Sequence, residues 1–591
     1  MTFDFWYTLF LLIILTVVLL KEWLSAEIAI FSVLMLLIVG NVVTVQEAFS
    51  GFSNIGVLTI GLLFVIAGAL QSSGALSYLY PIIFGNQTTS ITRKLIRILF
   101  PVSAISAFIN NTPIVSMFIP TVKSWAEKYD LPASKFLIPI SYAAILGGMC
   151  TLIGTSTNLI VHGLLIQNGQ PGFGFFEISK IGIPAAFVGM LFIIFVGQHL
   201  LPERKEPMVQ LGASTREFVI ELKVTPEYQN VGRTIEEAGL RHLKGLFLFQ
   251  IERNGEVIAP ARPDERIQVG DRLFFTGLPK TIIELQKTPG LQLIKDASFD
   301  LKQYDSDQIK PYEAVVSPSS PLVGKNVRES NFRGTYGAVI LAIHRNGERI
   351  QRKIGDITLR AGDTLLLLAD KDFIRRWYHS KDFLLISHAA EVPSKPQWRA
   401  KLSIAIFIGM ILLTVLNILP LISAAGLAAV ALVLTGCISP ADAKQSVDWK
   451  VLLIIASALG IAAGMQNSGL SDFIAREIIA LGKGWGMLGI LAGLYLTTSL
   501  YNTIITSNAT AALIFPVAFS AALTMGTDPR PFALTITISA AASFATPISY
   551  QTNLMVYGPG GYKFSDFLKI GIPLQILVGI VAVGMIWMVY F

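Results

Sequence analysis

AFINNTPIVSMFIP (Ala107–Pro120) and IITSNATAALIFP (Ile504–Pro516) are one kind of segment met twice: an apolar run interrupted by Asn, Ser and Thr and closed by Pro. Outward from them, further pairs fall in matching order. SSGALSYL (Ser72–Leu79) precedes the first, and NSGLSDFI (Asn467–Ile474) precedes the second. TLIGTSTNLIVHG (Thr151–Gly163) is answered by FATPISYQTNLMVYG (Phe544–Gly558), and KIGIP (Lys180–Pro184) by KIGIP (Lys569–Pro573). A polar insert separates the copies. Repeated apolar halves, broken by Gly, Pro and polar residues at corresponding positions, are the sequence mark of a secondary transporter.

The composition agrees with a membrane chain. Of 591 residues 53% are hydrophobic and 14% charged, and many of the charges lie between Glu203 and Lys401. The net charge of +7 fits cytoplasmic loops beside an anionic leaflet better than nucleic acid. The two cysteines, Cys150 and Cys437, lie in apolar surroundings, which argues against a disulfide framework or a zinc site. Phe5–Leu20 follows an acid, Asp4, and has no small-x-small cleavage site, so it reads as a retained helix rather than a signal peptide.

Apolar runs fall at about 5–20, 24–40, 54–79, 98–122, 136–166 and 177–201, then at about 402–418, 421–437, 450–474, 485–525, 531–556 and 566–591. Runs 98–122 and 485–525 carry internal Asn and Thr and read as re-entrant hairpins. Each half then has five crossings and one hairpin, and an odd number of crossings inverts the second copy. The predicted fold is an α-helical polytopic membrane protein built as an inverted repeat. Its parts are a first half over 1–202, two inserted α/β domains over 203–298 and 299–398, and a second half over 399–591. With the insert cytoplasmic, the first hairpin opens inward beside Arg93, Lys94, Arg97, Lys123, Lys128 and Lys135. The second opens outward near Arg476, Lys483 and Arg530, and Lys444, Lys450, Lys563 and Lys569 fall inside. That is the bias expected of cytoplasmic loops, and it sets both termini outside.

Within the insert, alternating β-branched strands and Asn-Gly turns replace the apolar runs. Gly232, Asn254-Gly255 and Gly270-Asp271 recur 92 positions later as Gly324, Asn346-Gly347 and Gly362-Asp363. The clearest pair is VGDRLFFTG (Val269–Gly277) and AGDTLLLLA (Ala361–Ala369). This tandem resembles two copies of the C-terminal module of regulator-of-K+-conductance proteins (RCK-C), some of which bind small regulatory ligands. Dimer contact is the other role open to it. No G-x-G-x-x-G follows a strand, so a Rossmann nucleotide site is not expected.

In lipid, backbone leaves helical hydrogen bonding only around a cavity. The first half offers Ser106, Asn110, Asn111 and Thr112 at its hairpin tip, with Gly154–Asn158 interrupting a helix. The second offers Thr503, Thr506, Ser507 and Asn508, opposed by Ala545-Thr546-Pro547 and Gln551-Thr552-Asn553. Half-helix N-termini suit an anion and C-termini suit Na+, and Asn, Ser and Thr serve either. A single Ser or Thr in a membrane helix ordinarily bonds a neighbouring helix or bends its own. Asn111 and Asn508, at matched tips, read as ligands. Neither hairpin run contains Asp, Glu, Lys, Arg or His, and among these types the broken-helix runs hold only His162. Proton-coupled carriers keep an acid or His in the membrane, so Na+ coupling is favoured.

NNTP (Asn110–Pro113), IGTSTN (Ile153–Asn158), SNAT (Ser507–Thr510) and ATP (Ala545–Pro547), in this order across both halves, resemble the divalent anion/sodium symporter family of the ion-transporter superfamily. The resemblance implies a homodimer in a bacterial inner membrane, with a static scaffold and an elevator-like transport domain. It implies one Na+ site at Ser106, Asn110, Asn111 and the backbone of Gly154, and another at Thr503, Thr506, Asn508 and the backbone of Ala545. It also implies an anion between the tips, touching Asn110, Asn111, Thr112, Ser507, Asn508, Thr546 and Pro547. Carboxylate carriers of the family show Ser-Asn-Thr at both tips, whereas here Asn110 replaces the first Ser and Ala509 the second Thr. With the RCK-C-like insert, that departure puts sulfate ahead of dicarboxylates.

Three other readings stay open: a dicarboxylate carrier, an RCK-gated cation channel, and a membrane sensor without flux. A T-V-G-Y-G-like filter is absent from the sequence, which weighs against the channel. No nucleophile–base pair or metal-ligand cluster suggests an enzyme.

Overall fold

The computed structural model describes residues 2–591 except 22, 76–89, 130, 205–218, 241–245, 255, 259–260, 262–263, 278–287, 295–308, 318–319, 346–347, 351, 353, 371, 378–379, 381, 388–396, 504 and 548. The end of the first SSGALSYL motif, the glycine of the first Asn-Gly turn and the whole of the second lie outside the described residues.

The first half runs α1 (Phe3–Leu20), α2 (Ala26–Val39), α3 (Ile55–Ser72), α4 (Ile91–Ser106), α5 (Asn111–Lys128), α6 (Leu137–Gly148), α7 (Ser156–Gln167) and α8 (Ser179–Phe192). The second runs α9 (Gln397–Val415), α10 (Leu421–Leu434), α11 (Trp449–Asn467), α12 (Leu470–Gly482), α13 (Gly486–Asn502), α14 (Ser507–Thr524), α15 (Pro529–Ala541), α16 (Gln551–Tyr557) and α17 (Phe564–Tyr590). Among the described residues, seven helical stretches are long and apolar enough to cross a membrane. Large apolar side chains such as Val39, Leu434, Leu481 and Ile580 face outward, as lipid contact requires.

Both helical hairpins form; the first has longer arms than its apolar run indicates, and the second, α13 and α14, falls within its run. The first spans α4 and α5, so Arg93, Lys94, Arg97 and Lys123 belong to its arms. Pro113 falls in the first turn of α5, where a missing N–H costs no hydrogen bond. The run read as one span over 450–474 is two helices. The chain turns at Gly469, whose φ of +74° favours glycine, and α12 starts a separate arm beside the second hairpin. The turn is marked by Gln466-Asn467-Ser468-Gly469, a polar stretch inside what reads as one apolar run.

The paired breaks α6–α7 and α15–α16 are built alike. Asn158 Nδ2 donates to the carbonyls of Gly148 (3.1 Å) and Thr151 (2.7 Å). Asn553 Nδ2 donates to those of Ser543 (2.8 Å) and Thr546 (3.2 Å). Each side-chain amide satisfies carbonyls that the break frees. The KIGIP glycines close the same arrangement: a Cβ at Gly182 would overlap the carbonyl of Met149, and one at Gly571 that of Phe544.

Helix α8 and its continuation to Leu200 form a 22-residue ruler, about 33 Å at 1.5 Å per residue. Near its N-terminal end, beside the second hairpin's mouth, Arg530 Nη1 meets Glu177 Oε1 at 2.8 Å. At its C-terminal end, beside the first hairpin's mouth, Lys135 Nζ donates to the carbonyls of Gln198 and Leu201, both at 2.9 Å. The hairpins open at opposite ends of the ruler.

The insert holds two antiparallel five-stranded sheets. The first comprises β1 (Val219–Val224), β2 (Leu246–Arg253), β3 (Glu256–Ile258), β4 (Arg272–Gly277) and β5 (Leu291–Leu293), ordered β3-β2-β4-β1-β5. The second comprises β6 (Ile309–Val316), β7 (Ala338–Arg345), β8 (Glu348–Arg349), β9 (Thr364–Asp370) and β10 (Phe383–Ser387), and repeats the order as β8-β7-β9-β6-β10. The repeated Gly-Asp has a mechanical cause. Arg253 Nε donates to Asp271 Oδ1 at 2.9 Å, and Arg345 Nε to Asp363 Oδ1 at 2.7 Å, each pinning a strand's entry to its neighbour. These carboxylates hold both guanidinium pKa values above the ordinary range.

The copies differ at one consequential place. Buried Glu221 of β1 pairs with Arg272 of its own sheet. At the corresponding Glu313 of β6, the arginine's place is taken by Thr364, which lies opposite Val315, and Glu313 pairs instead with Lys123 of α5 at 2.5 Å. Both side chains are buried. Thr364 lies against Gly558, where a Cβ would overlap its hydroxyl.

Candidate functional site: two polar tips and two helix breaks

Ser106 ends α4 and Asn111 begins α5, so the short link between them turns both side chains inward. Ser106 Oγ donates to Asn111 Oδ1 at 2.7 Å, and both residues are buried. A Cβ at Gly148 would lie 2.7 Å from Asn111 Oδ1. One at Gly154 would lie 2.6 Å from the carbonyl oxygen of Gly148 and 2.9 Å from that of Ala107. Oxygens of Ser106, Ala107, Asn111 and Gly148 therefore surround two glycines, a neutral set of hard donors suited to a small cation. Asn110 stands apart. It lines an apolar cleft with Ile60, Phe64 and Leu159, and makes no side-chain hydrogen bond among the described residues. Thr112 Oγ1 donates to Gln551 Oε1 at 3.2 Å.

At the second tip, Thr506 is the N-cap of α14 and accepts from the N–H of Ala509 at 3.5 Å. Asn508 Oδ1 accepts from Ser156 Oγ at 2.8 Å and from Thr157 Oγ1 at 3.4 Å. Thr503 instead donates to the carbonyl of Leu500 at 2.6 Å, closing its own helix end. Ala545 N–H donates to Gln575 Oε1 at 3.2 Å, and Thr546 Oγ1 accepts from the N–H of Ser549 at 3.2 Å. Pro547 sits in the break itself. Four buried oxygens here have no hydrogen-bond partner among the described residues: Asn502 Oδ1, Ser507 Oγ, Thr510 Oγ1 and Ser543 Oγ. An unsatisfied buried polar atom costs about 1–3 kcal/mol, which makes these four oxygens candidate contacts for a bound solute or ion.

The tips are cross-tied between halves. Asn111 Nδ2 donates to the hydroxyl of Tyr550 at 2.8 Å, just as Asn508 is held by Ser156. Helix α5 packs on α16, and α14 packs on α7. A polar cavity of about 260 Å³ lies on the insert side, lined by Gln71, Thr112, Ser116 and Gln551 with Ser317 and Ser380 of the second β unit. His162 belongs elsewhere: its ring packs on Gly172, where a Cβ would crowd it.

Sequence reasoning assigned no role to Tyr550 or Gln575. Gln575 carried a signal, a lone amide in an apolar helix two residues past KIGIP. Tyr550 carried only its place opposite Thr155 in the paired segments, because its partners Asn111 and Thr155 lie in the other half.

Several of the known proteins that the chain resembles are named as transporters. The chain belongs to the CitMHS family, described as citrate transporters, whose pattern matches residues 10–538. It is 36% identical over 96% of its length to a Chlamydomonas reinhardtii protein named for sulfur deprivation response regulation, covering 98% of that protein. It is 30% identical over 99% of its length to an uncharacterized transporter of Synechocystis sp., covering 97% of it. It is 27% identical over 96% of its length to sodium/sulfate cotransporter 1 of Chlamydomonas reinhardtii, covering 88% of that chain.

Proposed function

We propose that the chain is a Na+-coupled importer of a small divalent oxyanion, sulfate first, working by an elevator-type exchange of access. The observation that carries this reading is the pair of uncharged tips, each cross-tied to the opposite half, with four buried oxygens that have no partner among the described residues. The N-terminal ends of α5 and α14 supply positive dipole ends for an anion. Ser106, Asn111 and the backbone around Gly154 would hold one Na+. Thr506, Asn508 and the backbone near Ala545 would hold a second, with Asn502 and Ser543 as added donors. Asn110 and Thr503 have weaker standing, one facing an apolar cleft and the other spent on its own helix. Thr112, Ser507, Thr546 and Pro547 keep their proposed places at the anion.

Duplicated contacts at Asn158 and Asn553, and hairpins opening at opposite ends of α8, support an inverted repeat with five crossings and one hairpin per half. The insert is read as a pair of RCK-C-like cytosolic domains with a regulatory or assembly role, in a homodimer of a bacterial inner membrane with both termini outside. Sulfate is favoured over the citrate of the family's description because the tips carry no Lys, Arg or His for several carboxylates. Similarity over nearly the whole chain to sodium/sulfate cotransporter 1 points the same way.

Radiolabelled sulfate uptake into proteoliposomes tests this, under an inward Na+ gradient and then an inward proton gradient. Na+-dependent accumulation is the expected result. Proton-driven uptake would keep the anion and discard the Na+ sites. No sulfate flux, with succinate accumulated, would transfer the site to dicarboxylates.

A further inference from the structure

The residues preceding the two half-helices α7 and α16 are Thr155 and Tyr550, which occupy corresponding places in the two halves. Both are N-caps in nearly the same extended conformation, Thr155 at φ −142°, ψ 149° and Tyr550 at φ −141°, ψ 137°. They also meet: Thr155 Oγ1 and the Tyr550 hydroxyl are 3.2 Å apart, between the two tips. The halves thus contribute unequal side chains to one central point, a small hydroxyl from the first and a phenol from the second. Two threonines there would leave open the space that the ring fills.

The ring is held from two sides. Asn111 Nδ2 donates to its hydroxyl, and the next residues along, Thr112 and Gln551, pair in the same register at 3.2 Å. Because Asn111 is the donor, the phenolic hydrogen remains available for Thr155 or for a solute oxygen. The second rung, Thr112–Gln551, lines the cavity that reaches the second β unit, and Tyr550 is the residue next to that rung in the chain.

We infer that Tyr550 is the specificity-determining residue of the site: its ring limits the solute to a compact tetrahedral oxyanion, and its hydroxyl supplies one of the donors. This rests on the anion-transport reading and adds to it the residue that excludes larger polycarboxylates.

The test compares the full-length protein with Tyr550→Phe and Tyr550→Thr. Labelled sulfate uptake is challenged with molybdate, succinate and citrate, and thermal shift of the purified proteins is measured with each of the four anions. Tyr550→Thr is expected to strengthen inhibition by succinate and citrate, relative to molybdate, by roughly tenfold or more. Tyr550→Phe keeps the ring and should leave that ratio within about twofold. Its lost hydroxyl should raise the KM for sulfate roughly tenfold, as expected for one hydrogen bond to a charged group. An unchanged ratio in folded Tyr550→Thr, or a relaxed ratio in Tyr550→Phe, overturns the assignment; Tyr550→Val replaces the threonine variant if that fails to fold. Lack of sulfate uptake by the unsubstituted chain, with thermal shifts by the other anions still ordered by size in the variants, would overturn the sulfate reading alone. Absence of any anion shift would overturn both.

Discussion

Asn158 and Asn553 hold the two helix breaks by the same pair of bonds: each amide reaches the carbonyls seven and ten residues before it. Both asparagines are fully buried, so the carbonyls they satisfy lie away from the surface. Removal of either side chain strands acceptors in apolar surroundings.

Asn158→Ala and Asn553→Ala should therefore each destabilise the protein by about 1–3 kcal/mol or more. Aspartate at either position should be no better, because a carboxylate cannot donate to a carbonyl. Thermal unfolding in detergent checks this. A melting temperature unchanged in both alanine variants would mean that the breaks are held by something else.

Asn111→Ala and Asn508→Ala are expected to behave differently from those pillars. Each should abolish Na+-driven uptake while the protein stays folded and keeps its oligomeric state by size-exclusion chromatography. Transport within about twofold of the unsubstituted chain in either variant would move the site away from the tips.

The Lys123–Glu313 pair joins α5 to β6 in a buried setting. Loss of one partner leaves a buried charge, which costs about 3–5 kcal/mol, whereas replacing both by apolar residues is often neutral. Lys123→Met and Glu313→Leu should each weaken docking of the second β unit, seen as faster proteolysis of the insert. The double variant should recover protection. Additive losses in the double variant would show that the pair is not coupled.

Gly182→Ala and Gly571→Ala place a methyl group on a carbonyl at each break. Overpacking of a tight core costs about 1–3 kcal/mol. Both variants should lower thermal stability and uptake together. Gly409→Ala meets open space and should leave both unchanged, which makes it a control in the same assay.

Much of this was legible in the chain. The hairpins and breaks were readable because Asn and Thr cannot hide in an apolar run, and because each pattern occurred twice. The tandem character of the insert was readable from Gly270-Asp271 and Gly362-Asp363, although the arginine clamps behind them were not. Charge at the first hairpin's arms was underestimated, since its helices run past the apolar stretch. Helix α12 was missed although Gln466-Asn467-Ser468-Gly469 marks the turn before it, because apolar residues on both sides read as one span. The role of Tyr550 was unreadable for a different reason: its meaning lies in contacts with the other half, which no local pattern encodes.

Gene duplication ordinarily yields interchangeable parts, and the difference between Arg272 and Thr364 ends that interchangeability. Installing the first copy's sequence in the second position would drive a guanidinium into Gly558 and return Glu313 to its own sheet, breaking its pair with Lys123. In the first position, the second copy's threonine would leave Glu221 without its cation. The two β units are thus ordered by chemistry: one is self-sufficient, the other a fastener, and a swap of the copies should produce a chain whose insert no longer grips the hairpin it was built to hold.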